Sequence, residues 1–490
     1  MSPALIVSIL VVYFSVLLII AYYTSRNSDT DTFFTANKNA PWYLVAFGMI
    51  GTSLSGVTFI SVPGAVGAIN KATGQLNQFA YFQLVLGYIV GYSFIALVLL
   101  PIYYKMNLVS IYTYLEERLG KWSYKTGAAF FILSRTIGAS FRLYLAAEVL
   151  QIGIFNAWGV PFFVTVFITI LLIWIYTYKG GIKTIIWTDS FQTIFLISAL
   201  IISVIMISKE LNLSLLEMPG AVAKSPFSQI FFWDPKADNF FVKTFLSGTF
   251  IAIVMTGLDQ DLMQKNLSCK NIKEAQKNMF SFLTILIFVN LLFLALGALL
   301  YMYASAKGIA IPKKSDELYP FLALNHFGTF TGIVFLLGIT ASSYASADSA
   351  LASLTTSLCI DFLNFKSIDS EARKTKLKNI VHVGFSGLLL LVIIIFKLIN
   401  DDAVVNTVFK VAGYTYGPLL GLFFFGLFTK RQVKDKFVPW ICIASPFLCY
   451  LISSYSVELL NGYKFGFEIL LLNGALTFLG MAFISKKPKV

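Results

Sequence analysis

Apolar runs of about 20 residues recur along this chain, beginning near positions 4, 42, 78, 126, 159, 184, 243, 279, 328, 378, 402, 437 and 464. A run of that length crosses a hydrocarbon core as one helix. The polar stretches between them are short. The pattern therefore predicts an all-α polytopic membrane protein of about thirteen transmembrane helices with no soluble domain. The first run, 4–23, carries no basic leader and no small-residue cleavage site before the polar stretch at Ser25, so it is expected to be a retained span. Composition agrees: 57% hydrophobic and 12% charged residues, with 47 phenylalanines among 490 positions, describe a chain solvated mainly by the lipid bilayer.

Charge then chooses an orientation. An odd number of spans puts the two ends on opposite sides. With Lys486, Lys487 and Lys489 in the cytoplasm, roughly 24 lysines and arginines fall on cytoplasmic loops against roughly 10 outside. The expectation is an N-terminus outside and a C-terminus in the cytoplasm, in a multi-pass protein of the plasma membrane, such as a bacterial inner membrane. The net charge of +13 follows from that asymmetry and calls for no nucleic-acid partner. Cys269, Cys359, Cys442 and Cys449 lie in or beside spans without metal-ligand spacing, which suits packing. His326 and His382 are the only histidines, and without a nucleophile beside a base or a nucleotide loop an enzyme is not expected.

Six charged residues remain inside spans: Arg135 and Arg142 in the fourth, Lys410 in the eleventh, and Glu148, Asp189 and Asp348. Inserting each costs about 2.5–3.5 kcal/mol even on the gentlest scale, which marks them as site candidates. Arg135 and Arg142 are seven apart and share a helix face, where they line an aqueous path or receive an anion. The plainer alternative pairs Arg142 with Glu148 or lets it snorkel, as Lys410 is expected to do. Asp348 belongs to residues 338–350, GITASSYASADSA, where Ser342, Ser346 and Ser349 put hydroxyls on the same face. That composition suits a small hard cation, or else a helix contact made of small residues. Two spans are interrupted at their middles, by the glycine and hydroxyl run 48–58 with Pro63 and by 413–421 with Pro418. Unwound helices near the bilayer midplane expose carbonyls and are the sequence sign of a secondary-transporter site, a packing kink being the alternative for each.

Together these features resemble the sodium/solute symporter family over nearly the whole chain. Residues 101–120, PIYYKMNLVSIYTYLEERLG, are similar to the family's cytoplasmic loop. Residues 180–193, GGIKTIIWTDSFQT, are similar to its Gly-Gly followed by Thr-Asp-x-x-Gln-Thr. Asp259 and Gln260, with Gln264 and Lys265 following, resemble its Asp-Gln motif, and the stretch around Gly417 and Pro418 resembles another. The resemblance implies one transmembrane transporter domain, 1–490, with a leucine-transporter-type core of two inverted five-helix repeats, 42–207 and 240–428. One flanking helix, 1–25, precedes the core and two, within 437–484, follow it. It also implies sodium-coupled symport of a small organic solute by alternating access.

One sodium would sit between the broken second span and the ninth, on the carbonyls of Gly51 and Leu54, the carbonyl of Ser342, and positions 345 and 346. The register fixed by residues 359–361 puts Ala345 and Ser346 where the family has two adjacent hydroxyls; a register shifted by three would use Ser342 and Ser343 instead. Some members hold a second sodium, whose positions here are Asp189, Asp348 and Ser349. Two buried carboxylates repel unless a cation or proton lies between them, so the expectation is either two sodium ions or one with a protonatable aspartate.

For the solute, the sugar-carrying branch has polar side chains where this chain has Val57, and an asparagine and a tyrosine where it has about Ala252 and Met255. Ser53, Ser55 and Thr58 are similar to the hydroxyl cluster with which a sialic-acid branch holds a carboxylate. With Arg135 or Arg142, and with Gln83, Met255 and Thr256 as further contacts, the expected solute is a carboxylate or an acidic sugar such as sialic acid. The alternatives are a sodium-coupled sugar or inositol symporter and a sensor that keeps the fold without transport. Two broken helices in one chain suit alternating access better than an ion channel.

Overall fold

Helices occupy all thirteen expected spans in the computed structural model, which describes residues 3–486 apart from 27–29, 71–73, 179, 236, 400–403, 461 and 464. Lys487, Lys489 and the start of the eleventh run near 402 lie outside the described residues. Seven helices are each long and apolar enough to cross a membrane. They are span 1 (Ala4–Ser25), span 3 (Tyr81–Lys105), span 6 (Gly181–Glu210), span 8 (Ile272–Ala306), span 9 (Gly328–Phe362), span 10 (Glu371–Ile399) and span 12 (Asp435–Ser454). Three more crossings are bent pairs: span 2 (Trp42–Ser53 and Gly56–Ala65, 57°), span 7 (Phe241–Gly257 and Gln260–Leu267, 63°) and span 11 (Asn406–Thr415 and Gly417–Phe428, 47°).

The other three are span 4 (Lys121–Gly153), span 5 (Phe162–Thr177) and span 13 (Ile469–Phe483). Span 4 is 33 residues long and carries Arg135, Arg142 and Glu148, which lower its apolarity. Spans 5 and 13 have 16 and 15 residues. At ~1.5 Å per residue they reach about 24 Å, short of a hydrocarbon core of ~30 Å.

Burial sorts these helices into a core and a rim. In span 9, 78% of the apolar window is buried, against 28% in span 1 and 22% in span 12. Every residue from 338 to 357 is buried, so the serine-rich stretch forms the centre of the molecule. Spans 6 and 9 pack most extensively, with spans 2 and 4 also against span 9, because glycine, alanine and serine let backbones approach closely where lipid supplies no hydrophobic drive. The same device joins spans 3 and 7. A Cβ on Gly248 would lie 2.0 Å from the Leu84 carbonyl oxygen and one on Gly87 2.1 Å from that of Phe245, so only glycine fits either position. At the rim, span 13 braces the break in span 11: Asn473 Nδ2 donates to the carbonyls of Gly413 (3.1 Å) and Tyr414 (2.8 Å).

Candidate functional site

Span 2 stops being helical at Leu54, whose φ of −87° and ψ of 65° leave the helix, and resumes at Gly56 with no side-chain cap from Ser55. A broken helix presents carbonyls at the end of its first half and N–H groups at the start of its second, with the matching partial charges. Span 9 lies against this break. A Cβ on Gly51 would come within 3.5 Å of Ala345 Cβ and one on Gly56 within 2.2 Å of Ser343 Oγ. Gly51 therefore faces Ala345 and Gly56 faces Ser343, so each of the two registers has a residue at the break. Thr193 Oγ1 accepts the Gly51 N–H at 3.1 Å. The Ser346 hydroxyl accepts from Arg142 Nη1 at 3.3 Å, and Ser342, one turn earlier, donates to the Ile339 carbonyl at 3.1 Å. Gly51 and Ala345 thus meet where spans 2 and 9 touch, with Leu54 at the break and Ser342 and Ser346 on the same stretch of span 9.

Asp189, Asp348 and Ser349 are also near one another, and each has further partners. Asp189 Oδ2 forms an ion pair with Lys265 Nζ, which also donates to Thr52 Oγ1. The Thr52 hydroxyl lies 3.0 Å from the same carboxylate oxygen and 3.3 Å from the Ala345 carbonyl. Asp348 accepts from the Tyr176 hydroxyl at 2.9 Å and from the Ser349 N–H at 2.5 Å. The Ser349 hydroxyl donates to Asp261 at 2.6 Å.

Beside the break lies a small cavity open at its mouth. Ser53, Ser55, Val57, Thr58, Met255 and Thr256 line it as expected. Three tyrosines, Tyr81, Tyr88 and Tyr92, add hydroxyls, Ile251 and Phe409 add apolar wall, and Arg142 is the charged side chain among the lining residues. Two of the expected contacts are absent from this wall. Gln83 is fully buried and committed, its amide donating to the Asn239 carbonyl (2.8 Å) and accepting from the Phe232 N–H (3.2 Å). Arg135 lines a smaller adjoining cavity and forms a buried ion pair with Asp261, because an arginine in a dry interior takes the nearest carboxylate. Glu148 pairs with Lys397 at 2.8 Å and not with Arg142. Lys410 is exposed, in keeping with snorkelling.

The second half of span 7 reaches the smaller cavity through two of its lining residues, Arg135 and Tyr416, and is termed its floor. Asp259 takes the Tyr416 hydroxyl, and Gln260 bonds the Val109 carbonyl (2.7 Å) and the Ile111 N–H (2.9 Å). Gln264 donates to the Phe34 carbonyl (2.6 Å) and Thr356 (3.0 Å). Sequence reasoning missed Thr52, Tyr176, Asp261, Lys265 and Tyr416 as site residues. The charged run around Asp259 falls after the apolar part of span 7 and reads as a motif at the end of a core helix. Only the bend turns it back into the protein.

The sodium:solute symporter family model matches residues 33–435. The sodium/sialic acid symporter SiaT of Proteus mirabilis is 24% identical over 92% of this chain and 89% of its own length. The human sodium-coupled monocarboxylate transporter 1 is 26% identical over 78% and 62%. Among solved structures, a substrate-bound, outward-open Na+-coupled sialic acid symporter superposes with a TM-score of 0.82 at 20% identity, covering 98% of this chain and 99% of that one. Mhp1, a nucleobase-cation-symport-1 family transporter, gives 0.55 at 12% identity, with 92% of each covered. At these identities the likeness speaks for the fold, a helical membrane transporter of the leucine-transporter type.

Proposed function

Because this chain belongs to the sodium:solute symporter family, we propose that the solute it carries with sodium is a small carboxylate or an acidic sugar such as sialic acid. The observation that carries the reading is Arg142, a guanidinium lining a hydroxyl-rich cavity beside an uncapped helix break. A carboxylate there meets Arg142, the hydroxyls of Ser53, Ser55 and Thr58, and the positive end of the second half of span 2. Sodium takes the other side of the same break, between the carbonyls of Gly51, Leu54 and Ser342 and residues Ala345 and Ser346. Ser346 touches both, since Arg142 donates to it. Ion and solute thereby share an organising residue.

No covalent chemistry is involved. Sodium stabilises the state that binds solute, and binding of both lets the floor under the cavity open. One sodium moving through about 100 mV supplies ~2.3 kcal/mol before its concentration gradient is added. We read the repeats as 42–207 and 240–428 and the N-terminus as outside, so that the floor faces the cytoplasm. The bends in spans 2 and 7, five spans apart and of 57° and 63°, support the repeat reading, because inverted repeats break at corresponding helices.

The test is the thermal stability of the purified protein in sodium or potassium, against sialic acid, lactate, glucose and inositol. A ligand of the folded state present at 100 times its Kd adds ~2.7 kcal/mol, so an acidic solute should raise the midpoint in sodium and not in potassium. A sodium-dependent rise with glucose or inositol alone would reject the acid. Indifference to sodium would reject the ion site.

A further inference from the structure

At the end of the cavity away from the floor, a loop carboxylate joins spans 2 and 11. Span 8 carries the chain away from the second half of span 7, and the turn that follows, Ser315–Glu317, packs on span 2. A Cβ on Gly64 would lie 2.3 Å from the Ser315 carbonyl oxygen, so glycine is what lets the loop rest there. The Tyr301 hydroxyl holds the same turn of span 2, donating to the Gly64 carbonyl at 2.6 Å. From this anchorage Asp316 reaches span 11, where its Oδ2 accepts the Val404 N–H at 2.9 Å. Val404 begins the helix Val404–Thr415, whose first N–H groups lack partners within the helix and suit a carboxylate.

Spacing relates this contact to the solute. Val404 precedes Val408 by one turn of span 11. Ser61, the span 2 hydroxyl that faces the same carboxylate, follows Val57 and Thr58 by one turn. Val57, Thr58 and Val408 line the cavity. Tyr416, which holds the floor through Asp259, lies further along span 11, about 18 Å from Val404 at ~1.5 Å per residue. Asp316 therefore meets both walls one turn beyond the lining residues, at the far end from the floor. It is only half used there. Asp316 Oδ1 and Ser61 Oγ are both buried without a hydrogen-bond partner among the described residues, and a small approach of span 2 to the loop would satisfy the two together.

We propose that Asp316 is a latch opposite the floor, a positioning residue that fastens span 11 with one oxygen and draws in span 2 through Ser61 with the other, and whose closing opposes sodium binding. The proposal rests on the reading of the span 2 break as a sodium site. While the floor is shut, solute enters from the opposite end, so the state that sodium prepares for solute has that end open. Closing the latch over an empty cavity withdraws protein from this state and weakens the apparent sodium affinity by the fraction withdrawn. With solute aboard, the same closing seats Val408 against it.

Sodium-22 binding by the purified full-length protein without solute tests the latch. Asp316→Ala frees both walls and should lower the apparent Kd for sodium by about threefold, because more of the protein then waits in the binding state. A merely structural loss would not tighten binding. Asp316→Asn keeps an oxygen for the Val404 N–H and offers an amide to Ser61, so it should bind sodium as wild type does. Ser61→Ala is the second variant in case Asp316→Ala does not fold, and it should lower the Kd by about 1.5-fold. An unchanged or raised Kd in the alanine variants, or a fall in Asp316→Asn equal to that in Asp316→Ala, would overturn the latch and leave the sodium site standing. No sodium bound by wild type would overturn both the latch and the sodium reading beneath it.

Discussion

Spans 2 and 7 are both broken in mid-membrane, yet the two breaks are finished in opposite ways. In span 7 side chains of neighbouring segments answer the main-chain groups at the bend. Asp259 caps the second half by accepting from the Asp261 N–H at 2.9 Å. The hydroxyls of Tyr103 and Tyr112 take the carbonyls of Gly257 and Leu258, each at 3.0 Å. Arg135 and Lys265 carry ion pairs outward from it. In span 2 the residues are neutral and small, the second half has no side-chain cap, and a hydroxyl-lined cavity opens alongside. The side-chain-capped break reads as a joint and the uncapped one, with a cavity beside it, as the candidate site, because backbone groups in a dry interior demand partners.

The contrast predicts that damage at span 7 costs stability and damage at span 2 costs binding. The largest effect is expected from Asp261→Asn, which leaves Arg135 charged and unpaired in the interior; removing one partner of a buried ion pair costs about 3–5 kcal/mol. Thermal unfolding in detergent without ligand should show the loss, and combining it with Arg135→Gln should recover most of it. A single variant as stable as wild type would erase the distinction between the breaks. Next comes Arg142→Gln. It should keep the sodium-induced stabilisation and lose about 1.5–3 kcal/mol of acidic-solute binding, the worth of a charged hydrogen bond, or roughly 10- to 150-fold in Kd. Calorimetric titration with sialic acid in sodium reads this directly, and an equal loss for a neutral ligand would make Arg142 a structural residue.

The difference between the breaks also explains what was legible in the sequence. The span 2 break announces itself as glycines and hydroxyls within an apolar run, and Ser53, Ser55 and Thr58 line the cavity as expected. Arg142 and Asp348 were visible because charge inside a span is conspicuous. Asp261 was not, and Lys265 was visible only as part of a motif, since both follow the apolar stretch of span 7 and a 63° bend returns them to the core. Pairing was less legible still. Arg135 and Arg142 share a helix face and look equivalent in sequence, but a carboxylate carried by another span claims Arg135. Gln83 has the right chemistry for a solute and spends it on the backbone around Phe232 and Asn239. Spacing fixes which face a side chain occupies. Which partner it finds there depends on tertiary approach, carried by glycines such as Gly56 and Gly248 that let the chains touch.

The smallest effect belongs to Thr58, and it sharpens the contrast most finely. Thr58 is buried, lines the cavity and stands on the first turn of the second half of span 2. Thr58→Val keeps the shape and β-branching and removes one hydroxyl, so helix and packing should be little disturbed. If that hydroxyl meets a bound carboxylate, its loss costs about 0.5–1.5 kcal/mol, or roughly 2- to 12-fold in solute affinity. Stability without ligand and the sodium dependence should match wild type, since the proposed sodium site is on the carbonyl side of the break. If Thr58→Val instead lowered stability and left solute affinity intact, the hydroxyl would be serving the protein. Span 2 would then be finished internally, as span 7 is, and the site would have to lie elsewhere along the cavity.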